Sequence, residues 1–203
     1  VQSRRRFPAL PVIDHRAKKQ PKWSTSSNFE AQSDTLANAD VQYLSTHYSS
    51  RFGELLVIRG KFLSAPDTRA GASPAMDSQV RLYNVCNYNF WNGSAIQCLL
   101  DNELIRDSED FYTLVISTIE DRPENINESS ATWLDWGPYL DGQVSFRYVY
   151  RDNPFVQAIA AGLRGEPVTP GLAIYVPQAA HCDKKTFEQG GWLACLDANS
   201  NVY

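Results

Sequence analysis

The chain is poor in the signals that mark enzymes and membrane helices. No run of apolar residues approaches the ~20 that a helix needs to span a bilayer. Long helix-forming stretches are scarce. The cysteines lack the short C-x-x-C spacing of a zinc knuckle, and His15, His47 and His181 are scattered. Ser49, Ser50 and Ser94 lack the G-x-S-x-G setting of a hydrolase elbow. There is no internal repeat and no low-complexity tract. The single methionine is Met76 and the first residue is Val1. The chain is therefore expected to be a processed product or a piece of a longer one, with any export signal out of view.

What is present favours strands. Aromatics make up 12% of the 203 residues, with 5 Trp and 10 Tyr, and this balance leans to an all-β class. The organising stretch is Gln79–Asp101. Val80, Leu82, Asn84 and Cys86 follow an approximate period of two, as do Ala95, Gln97 and Leu99 more loosely. Asn92-Gly93 is a strong hairpin signal. A three-residue loop Trp91-Asn92-Gly93 would set Cys86 opposite Cys98, within disulfide reach, whereas a two-residue turn would slip the register by one.

Four cysteines allow three pairings. Spacing favours Cys86 with Cys98 and Cys182 with Cys195, hence an oxidising, extracytoplasmic compartment. The alternative is four buried thiols. Asn92-Gly93-Ser94 and Asn127-Glu128-Ser129 are glycosylation sequons, at the hairpin tip and in a polar loop. Such tripeptides are more often unused than used.

Residues 1–22 carry Arg4, Arg5, Arg6, Arg16, Lys18, Lys19 and Lys22 against Asp14 alone, a net +6; the whole chain is −4, so the remainder carries −10. A basic tail on an acidic body suggests docking to an acidic surface, including a second copy; a solvated terminus is the plainer reading. Nucleic-acid binding is disfavoured because the body repels phosphates. Residues 1–38 are polar, proline-bearing and aperiodic, and read as an extended arm, disordered or packed on a partner. Within it Phe7, Leu10, Val12 and Ile13 would join Arg4, Arg5 and Arg6 in partner contacts.

Residues 39–203 read as the domain. Val41–Ser45 begins a strand. Glu54–Phe62 reads as an inner strand with Arg59 and Lys61 on an open face, and Leu63–Ser78 as a long contact loop. Phe111–Ile119 and Gln143–Arg151 are further strands, the latter setting Val144, Phe146, Tyr148 and Tyr150 on one side. Thr132–Tyr139 reads as an aromatic turn. Pro154–Leu163 is a helix that Asp152 or Asn153 can cap and Gly165 can end. Lys184–Gln189 reads as a short helical turn.

Asn38–Tyr43 resembles the N-x-D-x-x-Y opening strand of the exported bacterial jelly-roll domains of unknown function numbered twelve-fifty-four and twelve-fourteen. Arg81–Cys86 resembles that family's aromatic strand, Phe111–Ser117 a later strand, Thr132-Trp133-Leu134 its N-W-L turn, and Phe146-Arg147-Tyr148 its L-R-l strand. Thr132 stands where the family has Asn and Asp135 where it has Pro. The likeness spans roughly Asn38–Arg151. It implies a jelly-roll sandwich in an extracytoplasmic setting and brings no reaction with it.

The expected fold is an antiparallel β-sandwich, jelly-roll-like, with one short C-terminal helix and an extended N-terminal arm. Asp101, Asp107, Glu109, Asp110, Asp135 and Asp141 read as turn or loop carboxylates rather than as an acid/base pair. His181 beside Cys182 is a poor nucleophile pair, because neighbours on an extended chain point to opposite faces. No catalytic residue, metal or cofactor is expected. Trp91, Trp136 and Tyr139 are candidate stacking platforms, with rim packing the alternative for Trp136; Trp133 reads as a plug at one end. The leading expectation is a secreted or surface-located non-enzymatic subunit acting by protein contact. A carbohydrate-binding module is the alternative, and a glycoside hydrolase is further off.

Overall fold

A computed structural model describes residues 21–27, 40–73, 78–127, 130–149 and 154–197. Nine strands and three helices follow in order: β1 (Trp23–Ser27), β2 (Val41–Ser49), β3 (Leu55–Lys61), β4 (Leu82–Asn89), β5 (Ala95–Leu100), β6 (Phe111–Ser117), β7 (Thr132–Asp135), β8 (Asp141–Val149), α1 (Pro154–Leu163), α2 (Pro170–Ala173), β9 (Gln178–Cys182) and α3 (Lys184–Asp197). They form a five-stranded sheet in the order β1-β2-β8-β4-β5 and a four-stranded sheet in the order β7-β6-β3-β9.

The mostly-β class stands, with several corrections. The smaller sheet is mixed, because β7 runs parallel to β6. The chain crosses the long segment after Ser117 before pairing again, so no hairpin forces β7 antiparallel. Thr132–Asp135, expected within a turn, is that strand. Trp23–Ser27, expected in the arm, is an edge strand on β2. The C-terminal part holds more than one short helix: α3 runs from Lys184 to Asp197 with a kink at Gly191. Arg4, Arg5, Arg6, Phe7, Leu10, Val12 and Ile13 lie outside the described residues, as do Asp152 and Asn153.

Both sheets feed one core. Alternation sends Leu44 and Tyr48 of β2, Tyr83 and Val85 of β4, and Val144, Phe146 and Tyr148 of β8 inward from the larger sheet. Leu56 and Ile58 of β3, Tyr112, Leu114 and Ile116 of β6, and Leu134 of β7 meet them from the other. Rings carry much of this contact: Tyr83 stacks on Tyr148 at 5.5 Å, Tyr112 meets Phe146 at 5.9 Å, and Tyr48 lies edge-on to Trp136 at 4.2 Å. Strand glycines make room for them. A Cβ on Gly142 would overlap the Tyr48 ring, and one on Gly60 the Tyr112 ring. The Tyr48 hydroxyl donates to Asn87 Oδ1, and Asn87 Nδ2 donates to the Asp135 carbonyl, a polar link between the sheets. Helix α1 adds Val156, Ile159 and Ala160 to the core. It ends as expected at Gly165, whose φ of 77° suits glycine. The Glu166 N–H reaches the Ala161 carbonyl and the Gly165 N–H the Gly162 carbonyl, a Schellman closure.

The outer face of the smaller sheet is covered, not open. Leu55 and Val57 of β3 and Val115 of β6 are buried with Phe187 and Cys195 of α3. The Cys182–Cys195 disulfide ties β9 to that helix. Arg59 sits 3.9 Å from the Trp192 ring centroid, donates to Thr113 Oγ1 and pairs with Asp107 at 2.6 Å. Burial pushes the Asp107 carboxyl up, yet the N–H groups of Phe111 and Glu109 and the Arg59 guanidinium outweigh it and hold the group below its ordinary value.

The Cys86–Cys98 disulfide forms across the hairpin as expected. The turn is longer than the expected three residues. The Asn89 N–H bonds the Ser94 carbonyl and the Gly93 N–H the Asn89 carbonyl, leaving Phe90–Gly93 as a four-residue loop. That loop alone would set Cys86 one residue out of step. A bulge in β5 at Ile96, where Tyr88 pairs with Ala95 but Asn87 with Gln97, restores the match.

Replacing Cys86 and Cys98 together by serine is expected to cost about 2–3 kcal/mol, read as a lower urea midpoint at unchanged slope. Burial raises the phenols of Tyr48, Tyr83, Tyr112 and Tyr148 above their ordinary value. The stability this contributes is present below the unfolded value of about 10 and is lost as the pH rises beyond it. Phenolate absorbance from these four is therefore expected to appear together with alkaline unfolding and not before it.

Candidate binding face

Three loops meet at one end of the two sheets: the segment after β2, the β4–β5 hairpin tip and the segment before β8. Strand register puts them there, since Asn89 pairs with Gly142 and Ser49 with Asp141. This end carries exposed rings. Trp91 is 49% exposed and Tyr139 38%. Phe90 packs edge-on to both Trp91 and His47. Trp136 does not join them. It is 1% exposed and packs on Tyr48 in the core, so it offers no stacking face. Its backbone N–H bonds the Ser117 carbonyl, which draws the residue inward beyond the end of β7. Trp133 is half-buried over the α3 layer, with Nε1 donating to Ser117 Oγ and Arg122 over its ring at 4.8 Å.

The sequon at Asn92 lies at this exposed tip, with Asn92 Oδ1 accepting from the Ser94 N–H and hydroxyl. Asn127 is exposed, while Glu128 and Ser129 lie outside the described residues.

The candidate carboxylates do not converge. Asp101 accepts from the Tyr83 and Asn102 N–H groups, Asp135 from Gly137, and Asp107 from Phe111 and Glu109. Asp141 lies 3.8 Å from Arg51, and Asp110 3.9 Å from Arg106. These are turn carboxylates and ion pairs, with Asp107 and Asp110 sharing one turn. His181 is buried; its Nε2 accepts from the Ser49 N–H and its ring packs on Phe52. Among the described residues no group of three or more His, Cys, Asp or Glu could hold a metal ion.

Sequence reading missed the outer face of the five-stranded sheet. The same alternation that buries Phe146 turns Ser145 and Arg147 outward. Register then aligns Tyr43, Arg147 and Asn84 in one row across β2, β8 and β4. A second row holds Ser45, Ser145 and Cys86, with Cys98 beyond; a third holds His47, Gln143 and Tyr88. Ser45 Oγ donates to Ser145 Oγ at 2.8 Å. Burial lifts the Tyr88 phenol above its ordinary value, the Tyr43 phenol adds to this, and Arg147 opposes it. Arg147 Nε and Asn84 Oδ1 are both buried and have no hydrogen-bond partner among the described residues. The signal was available in the strand patterns, but it needed the pairing register to bring the residues together.

If Trp91 is the solvent-facing indole, acrylamide quenching should act mainly on it. Trp91→Phe should remove most of the quenchable, red-shifted emission, while Trp136→Phe should leave that component in place.

No protein-family model matches the chain, and no curated protein matches it significantly. Among solved structures, an uncharacterized protein from Burkholderia cenocepacia is similar at 18% identity and a TM-score of 0.46, over 77% of this chain and 33% of that one. A protein from Vibrio parahaemolyticus is similar at 13% identity and a TM-score of 0.36, over 81% of this chain and 31% of that one. The chain thus spans about a third of the length of these structures.

Proposed function

We propose that the protein is an extracytoplasmic, non-enzymatic subunit that works by protein contact, with its N-terminal segment docking on a neighbour. The observation that carries this reading is β1. Among the described residues it pairs with β2 alone and stands at the sheet edge, directly after the basic stretch of residues 1–22. Its Trp23 ring lies 5.9 Å from Phe146 and packs against the core. An added strand anchored by one aromatic is a unit that can pair with a neighbour's β2 as readily as with its own. The +6 segment would travel with it onto a −10 body.

The compartment rests on the two disulfides, together with the absence, among the described residues, of a helix long and apolar enough to cross a membrane. The jelly-roll reading, and the resemblance to exported bacterial domains, draw support from the way β2, β3 and β4 alternate between the sheets. The parallel β6–β7 pair is a departure from a purely antiparallel roll. A second reading, carbohydrate binding, is favoured by the exposure of Trp91 and Tyr139 at one end of the fold.

Light scattering should give a larger mass for the full chain than for one lacking residues 1–27, and added salt should shrink the difference. A variant with Arg4, Arg5 and Arg6 changed to Glu keeps β1 and should dissociate in the same way. Equal monomeric masses for all three across a wide concentration range would end the docking proposal. Trp91→Ala with Tyr139→Ala, titrated against a panel of polysaccharides, separates the second reading from the first.

A further inference from the structure

Arg147 and Asn84 are cross-strand partners on the outer face of the five-stranded sheet. Each holds one buried polar atom that has no partner among the described residues, a donor at Arg147 Nε and an acceptor at Asn84 Oδ1. Unsatisfied groups of this kind are costly and rare in folded proteins, and each calls for an explanation. Asn84 Nδ2 has only the Cys86 sulfur at 3.2 Å, a weak acceptor. No carboxylate pairs with Arg147 among the described residues, although acidic side chains outnumber basic ones after Lys22. Arginines elsewhere are ion-paired: Arg59 with Asp107, Arg164 with Glu166, Arg51 with Asp141 and Arg106 with Asp110. The described helices pack away from this face, α3 on β3 and β9, and α1 on α2 and β1.

We infer that this face binds a carboxylate-bearing saccharide, with Arg147 taking the carboxylate, Asn84 Oδ1 accepting from a ring hydroxyl, and Tyr43 and Tyr88 flanking the sugar. A planar guanidinium matches a carboxylate through paired N–H donors. The orphan acceptor beside it asks for a donor on the same ligand, and a hydroxyl beside a carboxyl is what an acidic sugar ring presents. The next two rows supply Ser45, Ser145 and Gln143 as neutral hydrogen-bonding groups, beside the Cys86–Cys98 disulfide and His47. Tyrosine rings add apolar area with a polar edge. An acidic peptide satisfies the arginine, but these neutral hydroxyl and amide groups suit a polyhydroxylated surface better than an apolar side chain. The site is separate from the Trp91 and Tyr139 rim, and it does not depend on docking by β1.

The test is calorimetric titration of the full chain with tetragalacturonate, its methyl ester and a tetraglutamate peptide, with thermal unfolding run on every variant. Tetragalacturonate should bind about tenfold or more tightly than the ester, as loss of a charge-assisted pair implies, and added salt should weaken it. Arg147→Met should lose at least that factor. Arg147→Lys, which keeps the charge without the fork, should fall between, and Trp91→Ala should leave binding unchanged. Equal binding of acid and ester, undiminished binding by a folded Arg147→Met, or no binding of either saccharide would overturn the inference. Tighter binding of tetraglutamate than of tetragalacturonate would overturn it in favour of a peptide ligand. Loss of binding in Trp91→Ala with Arg147→Met unaffected would move the saccharide site to the rim.

Discussion

The fold depends on one constraint, the alternation of β8 between its two neighbours. β8 pairs with β2 on one side and β4 on the other over nearly its whole length. Because its side chains alternate, Val144, Phe146 and Tyr148 enter the core while Gln143, Ser145 and Arg147 face outward. A one-residue slip would bury Arg147 and expose Phe146. The cost of that exchange fixes the register of the three strands at the centre of the larger sheet. Gly142 belongs to the same constraint, since the Tyr48 ring lies over its Cα.

The edges are handled by other means. On one side β5 is pinned to β4 by a disulfide whose register needs both a four-residue loop and a bulge. On the other side β1 is held by pairing with β2 and by Trp23. The smaller sheet is roofed by α3, which is anchored at Cys182–Cys195 and by the stack of Trp192 on Arg59. The larger sheet has no comparable roof among the described helices. The asymmetry leaves a polar, ring-bearing face on one side of the molecule and a second apolar cluster on the other.

Much of this was legible in the chain. The strand at Phe111–Ser117, the alternation of Gln143–Val149, both cysteine pairs and the helix ended by Gly165 reflect local rules, because the residues that matter are close in sequence. What failed depended on distant partners. Trp136 has the look of an exposed turn residue until Tyr48 and the Ser117 carbonyl draw it inward. Trp23 sits in a polar, aperiodic stretch whose strand exists only through its pairing with β2. The parallel β6–β7 pair has no sequence signature of its own. Of the candidate ligand-stacking rings, Trp91 and Tyr139 are exposed, whereas the row of Tyr43, Arg147 and Asn84 could not be assembled from three stretches read separately.

By itself the sequence determined the parity of β4 and β8, since apolar period and side-chain direction are properties of a single extended segment. It also determined which cysteines pair, because a short loop holds their ends together. Tertiary structure decided the rest: which edge receives β1, which face α3 covers, and which outward side chains become neighbours. These are contacts between segments distant in the chain, such as Ser49 N–H with His181 Nε2, 132 residues apart. Their free energy exists only once the whole chain has closed around the rings of its core.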